Sequence, residues 1–85
     1  MPMQVTLKLF ATLGDYLPPE AKFNQIQLDL PEGTSVQALV ERYNLPPKLV
    51  HLVLVNGHFV SPPERSVRAL QDGDVLAIWP PIAGG

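Results

Sequence analysis

Four proline pairs divide this chain: Pro18-Pro19, Pro46-Pro47, Pro62-Pro63 and Pro80-Pro81. Each proline fixes its own φ and lacks a backbone donor, so a regular element stops at such a pair. The pairs account for most of the ten prolines, and each falls where a hydrophobic pattern gives out. They act as punctuation rather than as a low-complexity tract. With 85 residues cut up in this way, and neither repeat nor linker, the elements must be short and the chain forms one domain, 1–85.

The segments between the pairs carry distinct periods. Met3 to Phe10 alternates, with Val5, Leu7 and Leu9 on one side and Thr6 and Lys8 on the other, which predicts a half-buried strand. Phe10, Leu13 and Leu17 then lie at helical spacing, which predicts a short helix or turn ended by Pro18-Pro19. Phe23 to Leu30 alternates again and is expected to pair antiparallel with the first strand. Thr34 and Gln37 have the spacing of a capping box, and Val36, Leu39, Val40 and Tyr43 form one apolar stripe, so the main helix is expected to open at Thr34. Asn44 is its expected left-handed stop.

Leu49 to Val55 is a nearly continuous apolar run that reads as an inner strand, and Asn56-Gly57 is a strong hairpin signal. His58 to Val60 is the expected return strand, Glu64 to Leu70 a connection pinned by Val67 and Leu70, and Asp72-Gly73-Asp74 a tight turn. Val75 to Trp79 is the last strand. One helix on one face of a mixed sheet of about five strands is the two-layer solution for this order: an α+β fold of the β-grasp type. The right-handed crossover rule leads to the expectation that the strand after the helix lies parallel to a neighbour.

Composition narrows the function. A net charge of −2 gives no reason to expect a nucleic-acid or anionic-membrane partner. The absence of cysteine excludes disulfides, thiolate catalysis and thiolate metal sites in this chain, so any sulfur handled must come from elsewhere. The start lacks a basic region followed by an apolar core, and no run reaches transmembrane length, so a cytoplasmic location is the expectation.

Several residues invite chemistry. His51 and His58 flank a hairpin with no cysteine or acidic cluster of matching spacing, so a structural or solvated role is expected and no metal. Asp72 and Asp74 read as turn residues, and Arg65 and Arg68 as solvated charges in a loop. If Leu76 and Ile78 face the helix, then Val75, Ala77 and Trp79 face outward. Val75 and Trp79, with Phe59, then either lie half-buried under a loop or form a docking surface around an aromatic anchor.

The last residues are Trp79-Pro80-Pro81-Ile82-Ala83-Gly84-Gly85. A bare Gly-Gly end is ordinarily a frayed tail. Here it follows a stiff Pro-Pro spacer, and side chains shrink to nothing toward the last carboxylate. Pro80 to Gly85 could extend roughly 20 Å beyond the fold, enough to enter a narrow channel on another protein.

Three stretches carry a family resemblance. Leu9-Phe10-Ala11-Thr12-Leu13, Leu30 to Val36, and Asp72-Gly73-Asp74 through Gly85 are together similar to the MoaD/ThiS family of ubiquitin-like sulfur carriers, over essentially the whole chain. The presence of the Phe10–Leu17 segment and the Pro-Pro-Ile-Ala-Gly-Gly tail resembles the small subunit of molybdopterin synthase more than the thiamine-pathway carriers. The stretch from Leu45 to His51 has no such match and leaves room for another sulfur pathway.

The resemblance implies a protein co-substrate rather than an enzyme, with no cofactor bound. An adenylating enzyme related to ubiquitin-activating enzymes would use Mg-ATP to join the Gly85 carboxylate to AMP. A sulfur donor protein would then leave a thiocarboxylate on Gly85, with Pro80, Pro81, Ile82, Ala83 and Gly84 lying in the partner's channel. The large molybdopterin-synthase subunit, or another acceptor enzyme, would receive the sulfur. A ubiquitin-like modifier using the same tail and a plain β-grasp interaction module are the alternatives.

Overall fold

The computed structural model describes residues 2–81. Its elements are β1 (Met3–Leu9), β2 (Gln25–Leu30), α1 (Val36–Arg42), β3 (Leu52–Val55), β4 (His58–Phe59) and β5 (Val75–Trp79), with short 3-10 segments at Ala11–Tyr16, Pro47–Leu49 and Pro62–Glu64. The strands form one mixed sheet in the order β2-β1-β5-β3-β4. This is the expected β-grasp.

The alternation in β1 becomes burial directly. Met3, Val5, Leu7 and Leu9 are buried, while Thr6 and Lys8 are half-buried on the other face. β2 runs antiparallel to β1, from Met3 opposite Leu30 to Lys8 opposite Gln25. Its expected first residues, Phe23 and Asn24, are not strand. Both have positive φ, 54° and 63°, and make the turn that leads into it.

The single parallel pairing among the described strands joins β1 to β5, with Leu7 opposite Leu76 and Leu9 opposite Ile78. The strand after the helix, β3, is antiparallel to both of its neighbours, β5 and β4. That corrects the crossover expectation. β3 does run parallel to β2, but β1 and β5 lie between them, because the last strand inserts into the gap that the crossover leaves.

The helix starts one residue later than its sequence signal. Thr34 Oγ1 donates to the Pro31 carbonyl at 2.7 Å and closes the preceding turn, so Ser35 becomes the N-cap and its Oγ accepts from the Ala38 N–H at 3.0 Å. Gln37 reaches forward to Glu41 instead of back to the cap. The stop is as expected. Asn44 has φ 55°, its N–H donates to the Glu41 carbonyl, and the Leu45 N–H donates to the Val40 carbonyl, which completes a Schellman motif. Val36, Leu39 and Val40 are buried against the sheet, and Tyr43 packs at the edge of the core.

The apolar run from Leu49 to Val55 splits for the same kind of local reason. Pro46-Pro47 opens a 3-10 turn that consumes Leu49, and β3 begins only at Leu52. Between them, the carbonyls of Val50 and His51 both accept from Arg65, at 3.2 Å each. Arg65 is therefore not a solvated charge. It is only 8% exposed, and its Nε is buried without a hydrogen-bond partner. Burial lowers its pKa from the usual guanidinium value, though arginine stays charged in proteins. Arg65 and Leu70 pin the 62–70 connection, whereas Val67, expected to do so, is 79% exposed.

Removing Arg65 would leave two inward carbonyls without their donor. Arg65→Ala is expected to destabilise the fold by about 2–4 kcal/mol, with Arg65→Lys recovering part of the loss, measured by urea unfolding.

The same connection opens with a capping box. Ser61 Oγ and N–H both donate to Glu64 Oε1, at 2.7 and 3.2 Å. The hydroxyl bond first, then the backbone bond, hold the Glu64 carboxyl below its ordinary pKa. A depressed carboxyl pKa adds stability above the unfolded value, and the gain disappears as pH falls through the folded value. Glu64→Gln should therefore flatten the acid side of the stability–pH profile, with denaturation midpoints converging with wild type at low pH.

Candidate docking face and tail exit

The sheet has one face under the helix and one without it. Leu76 and Ile78 of β5 are fully buried toward the helix, as their alternation requires. Val75 and Trp79 are half-buried on the opposite face, and Ala77 between them is 9% exposed. Strand register carries this second face outward. Leu54 lies opposite Ala77 on one side and Phe59 on the other, and Leu52 lies opposite Trp79. Phe59, on the edge strand, is 57% exposed. The three residues singled out from the sequence thus belong to one continuous apolar face, which also takes in Leu52 and Leu54. Those two were hidden in a run that gave no sign of which alternate residues faced inward.

Toward β1 and the β2 edge the face turns polar. Ala77 is opposite Lys8, and Val75 is opposite Thr6. Lys8 is in turn opposite Gln25, and Thr6 opposite Gln27. An exposed apolar patch bordered by polar residues resembles a protein–protein contact more than a small-molecule pocket.

Trp79 is not free to swing. Its ring stacks on Phe10 with centroids 4.3 Å apart and planes within 2°. The partner is Phe10 because the parallel β1–β5 register brings the two strand exits together, and the Phe10 N–H donates to the Ile78 carbonyl at 3.1 Å. On the other side the His51 N–H donates to the Trp79 carbonyl at 3.1 Å, and the His51 carbonyl accepts from Arg65. The end of β5 is thus held from both flanks, by an aromatic stack and by a short hydrogen-bond chain from a buried cation. Pro80 follows half-buried and Pro81 exposed. Ile82, Ala83, Gly84 and Gly85 lie outside the described residues.

The other candidates resolve as structure. Asp74 is 8% exposed; its carboxylate accepts from Asn56 Nδ2 at 2.8 Å and from the Gln71 N–H at 2.8 Å. Asn56 Oδ1 accepts in return from the Val75 N–H at 2.9 Å. Asp72 Oδ1 accepts from the Gln4 N–H at 2.7 Å. These bonds lock the β3–β4 hairpin and the 71–74 turn to β1, at the end of the sheet opposite the tail. His51 and His58 are exposed, and among the described residues no cluster of potential metal ligands occurs. No described helix is long and apolar enough to cross a membrane.

One main helix on a mixed five-stranded sheet, with an apolar open face beside a clamped last strand, makes this a ubiquitin-like β-grasp domain. The chain belongs to the ThiS family, which it matches over residues 7–85. Its relatives are small ubiquitin-like carriers and modifiers. It is similar to small archaeal modifier protein 3 of Haloferax volcanii, 29% identical over 92 residues, covering 98% of this chain and all of the relative. Its fold matches SAMP1 of Haloferax volcanii with a TM-score of 0.65 and 26% identity, over 96% of this chain and 99% of the other. It also matches a Pyrococcus furiosus protein described as molybdopterin converting factor, subunit 1, with a TM-score of 0.65 and 26% identity, over 94% and 99% of the two chains.

The Phe10–Trp79 stack is expected to set the base of the tail. Trp79→Ala should lower stability by roughly 2 kcal/mol through lost aromatic packing, and Trp79→Phe by less than half of that, measured by chemical denaturation with circular dichroism.

Proposed function

We propose that this protein is a sulfur carrier whose reactive group is the Gly85 carboxylate. The observation that carries the reading is the way β5 ends: a strand clamped by Phe10 and His51 that gives out into Pro80 and an exposed Pro81, beside an apolar face. The strand end is held from both flanks, so the position at which the tail leaves β5 is fixed. Pro80, Pro81, Ile82, Ala83 and Gly84 then form the leash that lies in a partner's channel, and the terminal glycines let the channel walls approach the backbone.

The chemistry follows from what a carboxylate lacks. It is a poor electrophile, so an adenylating enzyme with Mg-ATP forms the Gly85 acyl-adenylate and releases pyrophosphate. Hydrosulfide displaces AMP from that adenylate and leaves the thiocarboxylate. Where the donor is a protein persulfide, the product is an acyl persulfide, and a thiol then cleaves its S–S bond. The carrier's own residues bind and orient: Phe59, Val75 and Trp79, with Leu52 and Leu54, dock the partner, and the clamped end of β5 fixes where the tail starts. It supplies neither general base nor nucleophile before activation, which makes it a co-substrate and not an enzyme.

The acceptor we favour is molybdopterin synthesis, with the large synthase subunit receiving the sulfur. The fold match to the Pyrococcus furiosus protein described as subunit 1 of a molybdopterin converting factor supports it. A second reading has its own support. Small archaeal modifier protein 3 is, by name, a modifier, and an activated Gly85 is equally open to attack by a lysine amine.

Incubation with an adenylating enzyme of the source organism, Mg-ATP and sulfide should exchange one carboxylate oxygen for sulfur in the intact mass. Deleting Gly84-Gly85 should abolish this without unfolding the domain. Protein adducts that resist reductant and need the intact tail would move the assignment to the modifier reading. Activity that survives the deletion would end both.

A further inference from the structure

Two turns in this molecule share a backbone geometry and differ in what they carry. Asn56 and Gly57, between β3 and β4, have φ of 52° and 82°. Phe23 and Asn24 have φ of 54° and 63°, and Lys22 and Gln25 close the turn with two backbone hydrogen bonds of 3.0 and 3.1 Å. Both belong to the mirror-image two-residue turns of hairpins, which need left-handed backbone at both central positions. Asparagine and glycine meet that need at low cost. A phenylalanine does not, since its Cβ crowds the neighbouring carbonyl oxygen.

Burial does not offset this strain, because Phe23 is 94% exposed, the most exposed of the large hydrophobic residues described. The residue is thus unfavourable for the backbone and unfavourable for the solvent. Elsewhere the chain makes the same kind of turn with Asn-Gly. Strain held at a position with no return inside the fold points to a contact outside it.

The position of the turn says which contact. The Asn24 carbonyl accepts from the Leu9 N–H at 2.9 Å, and the next residue, Phe10, stacks on Trp79. Phe23 stands at the entry of β2, Phe10 at the exit of β1 and Trp79 at the exit of β5, and these three strands are neighbours in that order. The turn is therefore two strand spacings, about 10 Å, to one side of the tail's root and at the same end of the sheet. Phe23 also forms the ridge between two shallow grooves, one walled by Glu20, Gln25 and Ile26, the other by Gly14, Asp15 and Pro18.

We infer that Phe23 is an anchor for the adenylating enzyme, entering an apolar pocket beside the mouth of the channel that receives the tail. The inference rests on the carrier reading above. The adenylating enzyme is the occupant because its step precedes any transfer, whether to sulfur or to amine. A body that draws in residues 80–85 must also close on the end of the sheet from which Phe23 projects. An anchoring ring takes no part at the reacting carboxylate. It therefore contributes equally before and in the transition state, and its loss shows in KM and not in kcat.

Adenylation of the full chain by the source organism's adenylating enzyme, followed by pyrophosphate release at saturating Mg-ATP, tests this. Phe23→Asn should raise the melting temperature, because asparagine tolerates the left-handed position. It should also raise KM for the carrier about tenfold or more with kcat unchanged. Phe23→Tyr, which keeps the ring, should stay close to wild type in KM. A Phe23→Asn KM within about twofold of wild type overturns the anchor while leaving the tail reading intact. So does a fall in kcat alone, or a lower melting temperature, which would make Phe23 a structural residue. A wild-type chain that releases no pyrophosphate, while a carrier known to be accepted by the same enzyme does, overturns the carrier reading and the anchor with it.

Discussion

The pairing of the first strand with the last underlies everything else in this domain. β1 and β5 run parallel at the centre of the sheet, and the side chains they share, Leu7, Leu9, Leu76 and Ile78, are all essentially solvent-free. Two strands from opposite ends of the chain are thereby fixed side by side. The sequence separation makes closing such a pair entropically expensive, and the burial of four large aliphatic side chains is what offsets it. The consequence for function is geometric. Both strands exit at the same end, so Phe10, just after β1, becomes the support for Trp79, the last residue of β5.

That support is unequal on its two sides. Phe10 meets Trp79 face to face, a contact between side chains that tolerates small shifts. On the far side the hold is polar and buried: Arg65 orders the carbonyls of Val50 and His51, and the His51 N–H fixes the Trp79 carbonyl. A buried arginine is an expensive way to organise backbone, and it is retained where a loop must be fixed without regular secondary structure. Here it fixes the entry to β3, which in turn fixes the last strand. The opposite end of the sheet is sealed separately by Asp74, Asn56 and Asp72. The two ends of the sheet are held by different contacts, and β5 runs out toward the tail at only one of them.

The apolar face and the projecting Phe23 share a logic. Apolar side chains left facing water are a standing cost. On the open face that cost is spread over several partly covered residues. At Phe23 it is concentrated in one fully presented ring on a strained backbone.

Much of this was legible in the amino-acid order, because strands and helix announce themselves through local periods. The alternation of Val5, Leu7 and Leu9, the stripe of Val36, Leu39 and Val40, the left-handed Asn44 and the Asn56-Gly57 turn each needed only neighbours within a few residues, and each formed as its pattern required. The β-grasp followed from those patterns, as did the placing of Val75 and Trp79 on the face away from the helix, where both are half-buried. The choices that required distant partners were not legible. Nothing near Thr34 says that its hydroxyl prefers the Pro31 carbonyl, and nothing near Arg65 says that two carbonyls fifteen and fourteen residues earlier await it. The parallel register that seats Phe10 on Trp79, and the insertion of β5 beside β1, exist only once the whole sheet has closed. Local sequence set the elements because backbone propensity and side-chain period act over one turn or one pleat. Tertiary structure alone decided which charge is buried, which turn is strained and where the tail begins, because those depend on contacts that the chain must fold to make.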